Sequence, residues 1–352
     1  MNNRIQKRLN NLPDDILGKI VEIDALKDRW VQGATLDREV LTRLKKSVLI
    51  TSTGASTRIE GSQLSDEEVE RLMRGLTLKK FRDRDKQEVI GYHELLTNVF
   101  DAYQTIPFSE STIKFFHREL LKHSEKDNLH RGEYKKTENK VEMINAAGES
   151  VGVIFDTTPA YLTPKEMQEL VEWAQRALVE RSAHPLLITG NFIVEFLQIH
   201  PFQDGNGRLS RMLSNLLLLQ QGYAYMPYVS HEKIIETNKP EYYLALRQSQ
   251  RTFKTRKEDA APWLRFFLSV VMEQSKQAVL LLTHEETAKL LSPRQAAIWE
   301  HLEKVREATP MEISKATSTP RPTINQVLTK LLRLKRIERL GTGRATRYRV
   351  VG

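Results

Sequence analysis

The sequence predicts an all-α protein with one β-hairpin set into its helical bulk and a small basic unit at its carboxy terminus. Three observations carry this. Apolar residues recur at helical spacing through almost the whole chain, a stretch between Arg131 and Phe155 alternates like paired strands, and the residues after 276 change both charge and pattern. With 352 residues, 40% hydrophobic and 28% charged, the chain is long enough for two or three domains with cores of their own.

In order along the chain, Ser65 followed by Asp66, Glu67 and Glu68 makes a capping box. Val69, Leu72 and Met73 form the apolar stripe behind it, and Gly75 ends that helix. Residues 85–103 repeat the pattern with Val89, Leu95, Leu96, Val99 and Phe100, and further helices are predicted over 111–123, 164–181, 185–199, 206–221, 238–251 and 260–283. The hairpin is predicted because Val141, Met143, Ile144, Val151, Val153 and Ile154 flank the turn-like cluster Asn145-Ala146-Ala147-Gly148. Pro159 and Pro164 bound the loop into the helix of Met167, Leu170, Val171 and Trp173. In the tail, helices are predicted from Ser292-Pro293 to Val305, over 311–317 and over 323–334. A small hairpin of 337–340 and 346–350 follows, turned at Gly341-Thr342-Gly343. Three helices and a basic hairpin is the order of a winged helix-turn-helix. The expected domains are residues 1–105, 106–275 and 276–352.

The formal net charge of +9 is modest, but residues 321–352 hold nine basic side chains and one acid, so the tail carries most of it. Zero cysteines exclude a disulfide framework, thiolate metal sites and thiol catalysis. The amino terminus lacks an apolar signal region and no apolar run reaches membrane-span length, so a soluble, cytoplasmic protein with no membrane partner is expected.

The chemistry concentrates in residues 200–211, His-Pro-Phe-Gln-Asp-Gly-Asn-Gly-Arg-Leu-Ser-Arg, a tight loop between two apolar helices. Gly205, Asn206 and Gly207 let backbone N–H groups converge at a helix start, where the dipole also favours anions, so the loop can cradle a diphosphate. Arg208 and Arg211, three apart, can both reach phosphate oxygens. Asp204 is a hard oxygen ligand placed to hold Mg²⁺ against them, and His200 can be neutral near pH 7 and take a proton from a hydroxyl. Alone, a His-Pro at a helix end is a stop signal and a Gly-Asn-Gly is a turn. Together they supply a base, a metal ligand, an anion nest and a cationic clamp.

This string resembles the signature of the Fic family, His-x-Phe-x-Asp/Glu-Gly-Asn-Gly-Arg-x-x-Arg, at every specified position. His184-Pro185-Leu186, the Tyr242-Tyr243 pair and Trp263-Leu264-Arg265-Phe266-Phe267 extend the resemblance over about residues 106–275. The resemblance implies an all-α core with a β-hairpin flap, here 131–155, that holds a target segment by strand addition. It also implies transfer of AMP from ATP, with Mg²⁺, to a hydroxyl side chain of a target protein or of the chain itself. The phosphotransferase branch has Lys where this chain has Gly207, which favours adenylyl transfer. By similarity His200 is the general base, Asp204 the Mg²⁺ ligand, Gly205, Asn206 and Gly207 the phosphate nest, and Arg208 and Arg211 the β- and γ-phosphate contacts. Phe202 should point into the core. Tyr243 and Gln250 are expected at the adenine pocket, against the alternative that an aromatic at helical spacing is plain core.

Many Fic proteins carry an inhibitory helix with Ser/Thr-x-x-x-Glu-Gly/Asn, whose Glu pairs with the last motif Arg. Ser56-Thr57-Arg58-Ile59-Glu60-Gly61 fits, so Ser56, Glu60 and Gly61 are the expected brake. The plain alternative is a solvated helix-end Glu followed by a Gly cap. In the tail, Asn325, Gln326, Lys330 and Arg333 would face outward on the third helix, with Arg344 and Arg347 on the wing, an arrangement suited to duplex DNA. The alternative there is a module for docking or dimerisation, and a homodimer is left open. Two functions therefore stand side by side: an auto-inhibited protein adenylyltransferase, or a DNA-binding regulator whose Fic core senses nucleotide. Removal of AMP, with Glu60 orienting a water, is the third chemistry to be separated from these.

Overall fold

The computed structural model describes residues 3–10, 12–33, 36–75, 83–144, 150–289, 291–334, 336–341 and 346–351. The chain divides into two units, residues 1–278 and 279–352, and the segments 1–105 and 106–275 both lie wholly in the first of them.

The first unit is helical because its caps and stripes agree. Helices α1 (Asn3–Lys7), α2 (Asp14–Gly33) and α3 (Arg38–Ile59) open the chain, α3 starting where the Asp37 carboxylate accepts the Glu39 N–H at 2.8 Å. Helix α4 (Asp66–Met73) begins with the capping box read from its sequence: Ser65 Oγ accepts the Glu68 N–H at 3.3 Å and Glu68 returns the contact to Ser65 N at 2.9 Å. Helices α5 (Asp83–Ala102) and α6 (Glu110–Leu120) follow, then strands β1 (Lys140–Ile144) and β2 (Ser150–Asp156), paired antiparallel with two register irregularities. The hairpin is shorter than expected. Residues 131–139 run as turns pinned to the core by side chains rather than as strand, and the turn at 145–148 lies outside the described residues.

Helices α7 (Thr163–Glu180), α8 (Pro185–Ile199), α9 (Asn206–Gln220), α10 (His231–Thr237), α11 (Lys239–Gln250) and α12 (Ala261–Lys289) complete the bundle. The short α10, led by Ser230 accepting the Lys233 N–H at 3.0 Å, has too few turns to show a stripe in the sequence. The core centres on α8, whose residues from Leu186 to Ile199 are all buried, and on α9 beside it. Apolar side chains on every face of α8 require that position, because no orientation would leave one face in water.

The second unit holds α13 (Pro293–Val305), β3 (Glu307–Ala308), α14 (Pro310–Thr317), α15 (Arg321–Arg333), β4 (Ile337–Leu340) and β5 (Arg347–Val350). Its sheet has the order β3-β5-β4, so a two-residue strand absent from the sequence reading adds an edge to the hairpin. Ile298, Leu302, Ile313, Ile324, Val327, Leu328 and Leu331 close a separate core.

Two glycines in helix interiors give opposite expectations. A Cβ at Gly91 on α5 would collide with the Leu120 carbonyl oxygen at the end of α6, whereas one at Gly18 on α2 meets nothing within 4 Å. Gly91→Ala should therefore force the helices apart and destabilise by about 1–3 kcal/mol. Gly18→Ala should stabilise by roughly 0.5–1 kcal/mol through helix propensity. Urea midpoints of the two variants check both signs.

Candidate active site

The loop between α8 and α9 is built by backbone geometry first. His200 closes α8 in the left-handed conformation (φ 52°), its N–H reaching Phe196 O, and Gly205 (φ 77°) opens α9. Between them Phe202 is fully buried and stacks on His117 with ring centroids 3.8 Å apart. The Asn206 side chain braces the turn from inside, Oδ1 accepting the Phe202 N–H at 3.0 Å and Nδ2 donating to Phe202 O at 2.7 Å. The amide of Asn206 is thus spent on the loop. What it offers an anion is its backbone N–H, which with those of Gly207 and Arg208 has no carbonyl to meet in the first turn of α9.

His200 Nδ1 lies 3.3 Å from Leu197 O, and a carbonyl only accepts, so Nδ1 carries the proton and Nε2 is left as a base. Burial pushes this imidazole down to about 4, helped by the Lys135 ammonium nearby, so it stays neutral at pH 7. His117, which the sequence reading missed, holds the same loop from behind. Its Nδ1 accepts the Gly132 N–H at 2.8 Å, so its Nε2–H donates to Asp204 O at 3.0 Å. Burial pushes it, too, down to about 4.

Asp204 is crowded by cations. Oδ1 accepts the Gly205 N–H at 2.5 Å and takes Arg208 Nη2 at 3.2 Å, while Oδ2 takes Arg84 Nη2 at 2.7 Å. Burial alone would raise this carboxyl, but the Arg208 guanidinium, the Gly205 N–H and Arg84 outweigh it and hold it below the usual carboxylate range. Arg208 itself is 2% exposed and pairs through Nη1 with Glu88 at 2.9 Å. Arg84 and Glu88, both on α5, carry no signal in the sequence that would link them to a motif more than a hundred residues away.

Arg211 points the other way, toward α3. Its Nε donates to Ser56 Oγ at 2.8 Å, and its Nη2 donates to Ser56 O at 2.9 Å and to Glu60 Oε1 at 2.7 Å. The Glu60 carboxylate lies over the start of α9, so close that a Cβ at Gly207 would collide with it. The end of α3 is fixed in this position by Arg58, which reaches Glu236 at 2.5 Å, Leu64 O at 2.8 Å and Asp66 at 2.9 Å. Gly61 (φ 105°) then turns the chain away.

The hairpin is wired to the same loop at its base. Lys135 Nζ donates to Ile199 O (3.1 Å), Asn139 Oδ1 (2.7 Å) and Thr157 Oγ1 (2.9 Å), and Asn139 Nδ2 donates to Phe202 O at 2.9 Å. Burial pushes the Lys135 ammonium down to about 8. Neither residue was legible as a site residue, because each reaches the loop only through its backbone carbonyls.

Residues 107–218 match the Fic/DOC family model, a span that begins before α6 and runs through the loop into α9. The chain carries a Fic domain over these residues. Protein adenylyltransferase Fic of Drosophila willistoni is 26% identical over 278 residues, covering 74% of this chain and 51% of that one. A probable protein adenylyltransferase of Aquifex aeolicus (strain VF5) is 32% identical over 84 residues, 24% of this chain and 25% of that one. The chain thus spans between a quarter and about half the length of these curated relatives. The crystal structure of a Fic family protein from Desulfovibrio desulfuricans G20 shares the fold over 98% of both chains, with a TM-score of 0.63 and 24% identity. Fic-1 from C. elegans superposes on 76% of this chain with a TM-score of 0.61 and 19% identity.

Around the Fic loop, Tyr243 is half-buried on α11 with its OH 3.5 Å from Ile59 O, beside the end of α3. Gln250, 3% exposed, has neither amide atom hydrogen-bonded among the described residues. In the second unit, α15 leaves Asn325, Gln326 and Arg333 exposed, and Lys330 donates to Gln295 at 3.2 Å. Arg344 lies outside the described residues. Arg347 lies on the wing strand β5, as expected, and pairs there with Glu307 at 2.8 Å and with Glu312 at 3.4 Å. The added strand β3 brings that carboxylate to the hairpin, so the folded tail presents less positive charge than its linear sequence.

The imidazole of His200 gives a direct expectation. Its folded form disfavours the proton relative to an ordinary 6.5, so its contribution to stability is whole above that pH and is lost as pH falls toward 4. NMR of the ring nitrogens should show the neutral Nδ1–H tautomer from pH 8 to pH 5. Titration near 6.5 would contradict the geometry.

Proposed function

We propose that this protein transfers AMP from ATP to a hydroxyl side chain of a protein, itself included, and that Glu60 holds the reaction off. The observation that carries the first half is the His200 ring, whose Nδ1 faces Leu197 O at 3.3 Å and so leaves Nε2 as the base, set on the same loop as the N–H groups that open α9. The hydroxyl oxygen attacks the α-phosphorus while its proton passes to Nε2; a new P–O bond forms, the bond to the β-phosphate oxygen breaks, and pyrophosphate leaves. The α9 N–H groups and Arg208 would take the charge of the leaving phosphates. Gln250, a buried amide with a donor and an acceptor both unspent, suits the edge of adenine, next to Tyr243.

Asp204 fits a magnesium ligand by the chemistry of its donors: it is kept ionised and already collects two guanidiniums. Among the described residues no three metal-ligating side chains stand together, which suits an ion held by one carboxylate plus substrate phosphates. When bound, Mg²⁺ supplies charge neutralisation on those phosphates.

The brake rests on the Glu60–Arg211 pair. A carboxylate over the first turn of α9 takes the place of an anion there and engages the arginine that would meet the γ-phosphate. Incubation with α-³²P-ATP and Mg²⁺ should show Glu60→Gly labelling itself at least tenfold faster than the parent, with His200→Ala on that background reduced by about 10² to 10⁴. Equal labelling with and without His200 would sink the transfer reading. Loss of label from pre-labelled protein, dependent on Glu60, would instead support removal of AMP.

A further inference from the structure

The Arg84–Glu88 pair meets the loop through charge. On α5 the two residues stand one helical turn apart, and on α9 and its preceding loop Asp204 and Arg208 do the same. The two pairs face each other with opposite order of charge and close a ring: Arg84 to Asp204 at 2.7 Å, Asp204 to Arg208 at 3.2 Å, Arg208 to Glu88 at 2.9 Å and Glu88 back to Arg84 at 2.8 Å. Every charge in it has two opposite neighbours. The ring is uneven in burial, however. Glu88 and Arg208 are 9% and 2% exposed, whereas Arg84 is 48% exposed.

We propose that Arg84, braced by Glu88, is a second latch on the active site, acting on the cation side as Glu60 acts on the anion side. Its guanidinium lies on the Asp204 carboxylate, the only carboxylate of the loop, and Glu88 at the same time satisfies Arg208. A divalent cation must therefore displace Arg84 from Oδ2 before it can share that carboxylate. Arg84 can leave at small cost, since a half-exposed guanidinium is rehydrated as it swings out, whereas Glu88 keeps its pairing with buried Arg208. The latch is thus reversible and leaves the buried part of the ring intact. It also differs from Glu60 in chemistry: high divalent concentration opens it, while removal of Glu60 does not. The inference rests on the reading of Asp204 as the metal ligand.

Mn²⁺ serves as the probe, with paramagnetic broadening of the Gly205, Asn206 and Gly207 amide resonances as the readout, on full-length Glu60→Gly and on the same chain with Arg84→Ala. Arg84→Ala should lower the Mn²⁺ concentration for half-broadening about one-and-a-half- to fivefold, the range a partly exposed ion pair can supply. Arg84→Lys, a point charge without the fork, should fall between. An unchanged midpoint overturns the latch, and a higher one shows that Arg84 aids metal binding instead. A calorimetric titration with ADP, in EDTA and then in Mg²⁺, separates the two claims. ADP that fails to bind under either condition defeats the nucleotide reading but leaves the Mn²⁺ result standing. Broadening of no loop amide in either chain defeats Asp204 as the metal ligand, and the latch with it. Amide spectra without Mn²⁺ show whether each variant keeps its fold.

Discussion

A guanidinium buried to 2% exposure cannot stand without a counter-charge, and Arg211 is such a group, on the first turns of α9 beside the Fic loop. Its requirement is met by α3, which brings Ser56 and Glu60 from more than 150 residues away in the chain. Much of the surrounding structure follows from that contact. Helix α3 must end where it does, Arg58 must bind Glu236, Asp66 and Leu64 O to hold that end, and a side chain at Gly207 would have to push the Glu60 carboxylate aside. The amino-terminal helices are therefore part of the site and belong with the Fic core in one unit.

The same logic extends across the loop. The first turn of α9 offers anion-binding N–H groups and two arginines, and the resting chain answers them with its own carboxylates: Glu60 on Arg211, and Glu88 and Asp204 on Arg208. A site that is self-neutralised in this way is stable without ligand, and any polyphosphate that enters must replace contacts already made. The hairpin and His117 act on a different quantity, the position of the loop backbone. Lys135 and Asn139 hold its carbonyls from the hairpin side, and His117 holds the Asp204 carbonyl from the core side.

What was legible in the sequence was local. The twelve residues from His200 to Arg211 are contiguous, so their chemistry could be read together, and capping boxes such as Ser65 with Glu68 mark helix starts within a few residues. Glu60 could be placed because a spaced pattern leads to it. Arg84, Glu88, His117, Lys135 and Asn139 were not legible, since each acts through a partner far away in the chain or through a backbone carbonyl, and neither leaves a trace in periodicity or spacing. Two finer points turned on tertiary detail. The Asn206 amide is used to brace the loop from within, and Arg347 is held by Glu307 because a two-residue strand, too short to see in sequence, pairs beside it.

The central claim is that Glu60 supplies the charge that Arg211 needs at rest and that nucleotide phosphate can supply in its place. Thermal unfolding of Glu60→Gln, which keeps the shape and removes the charge, tests this without any assay of transfer. The account predicts a melting temperature below that of the parent in buffer and a larger rise than the parent shows when ATP and Mg²⁺ are added, because the ligand then restores a missing counter-charge. A variant that melts with or above the parent, and gains no more than the parent from ATP, would contradict it.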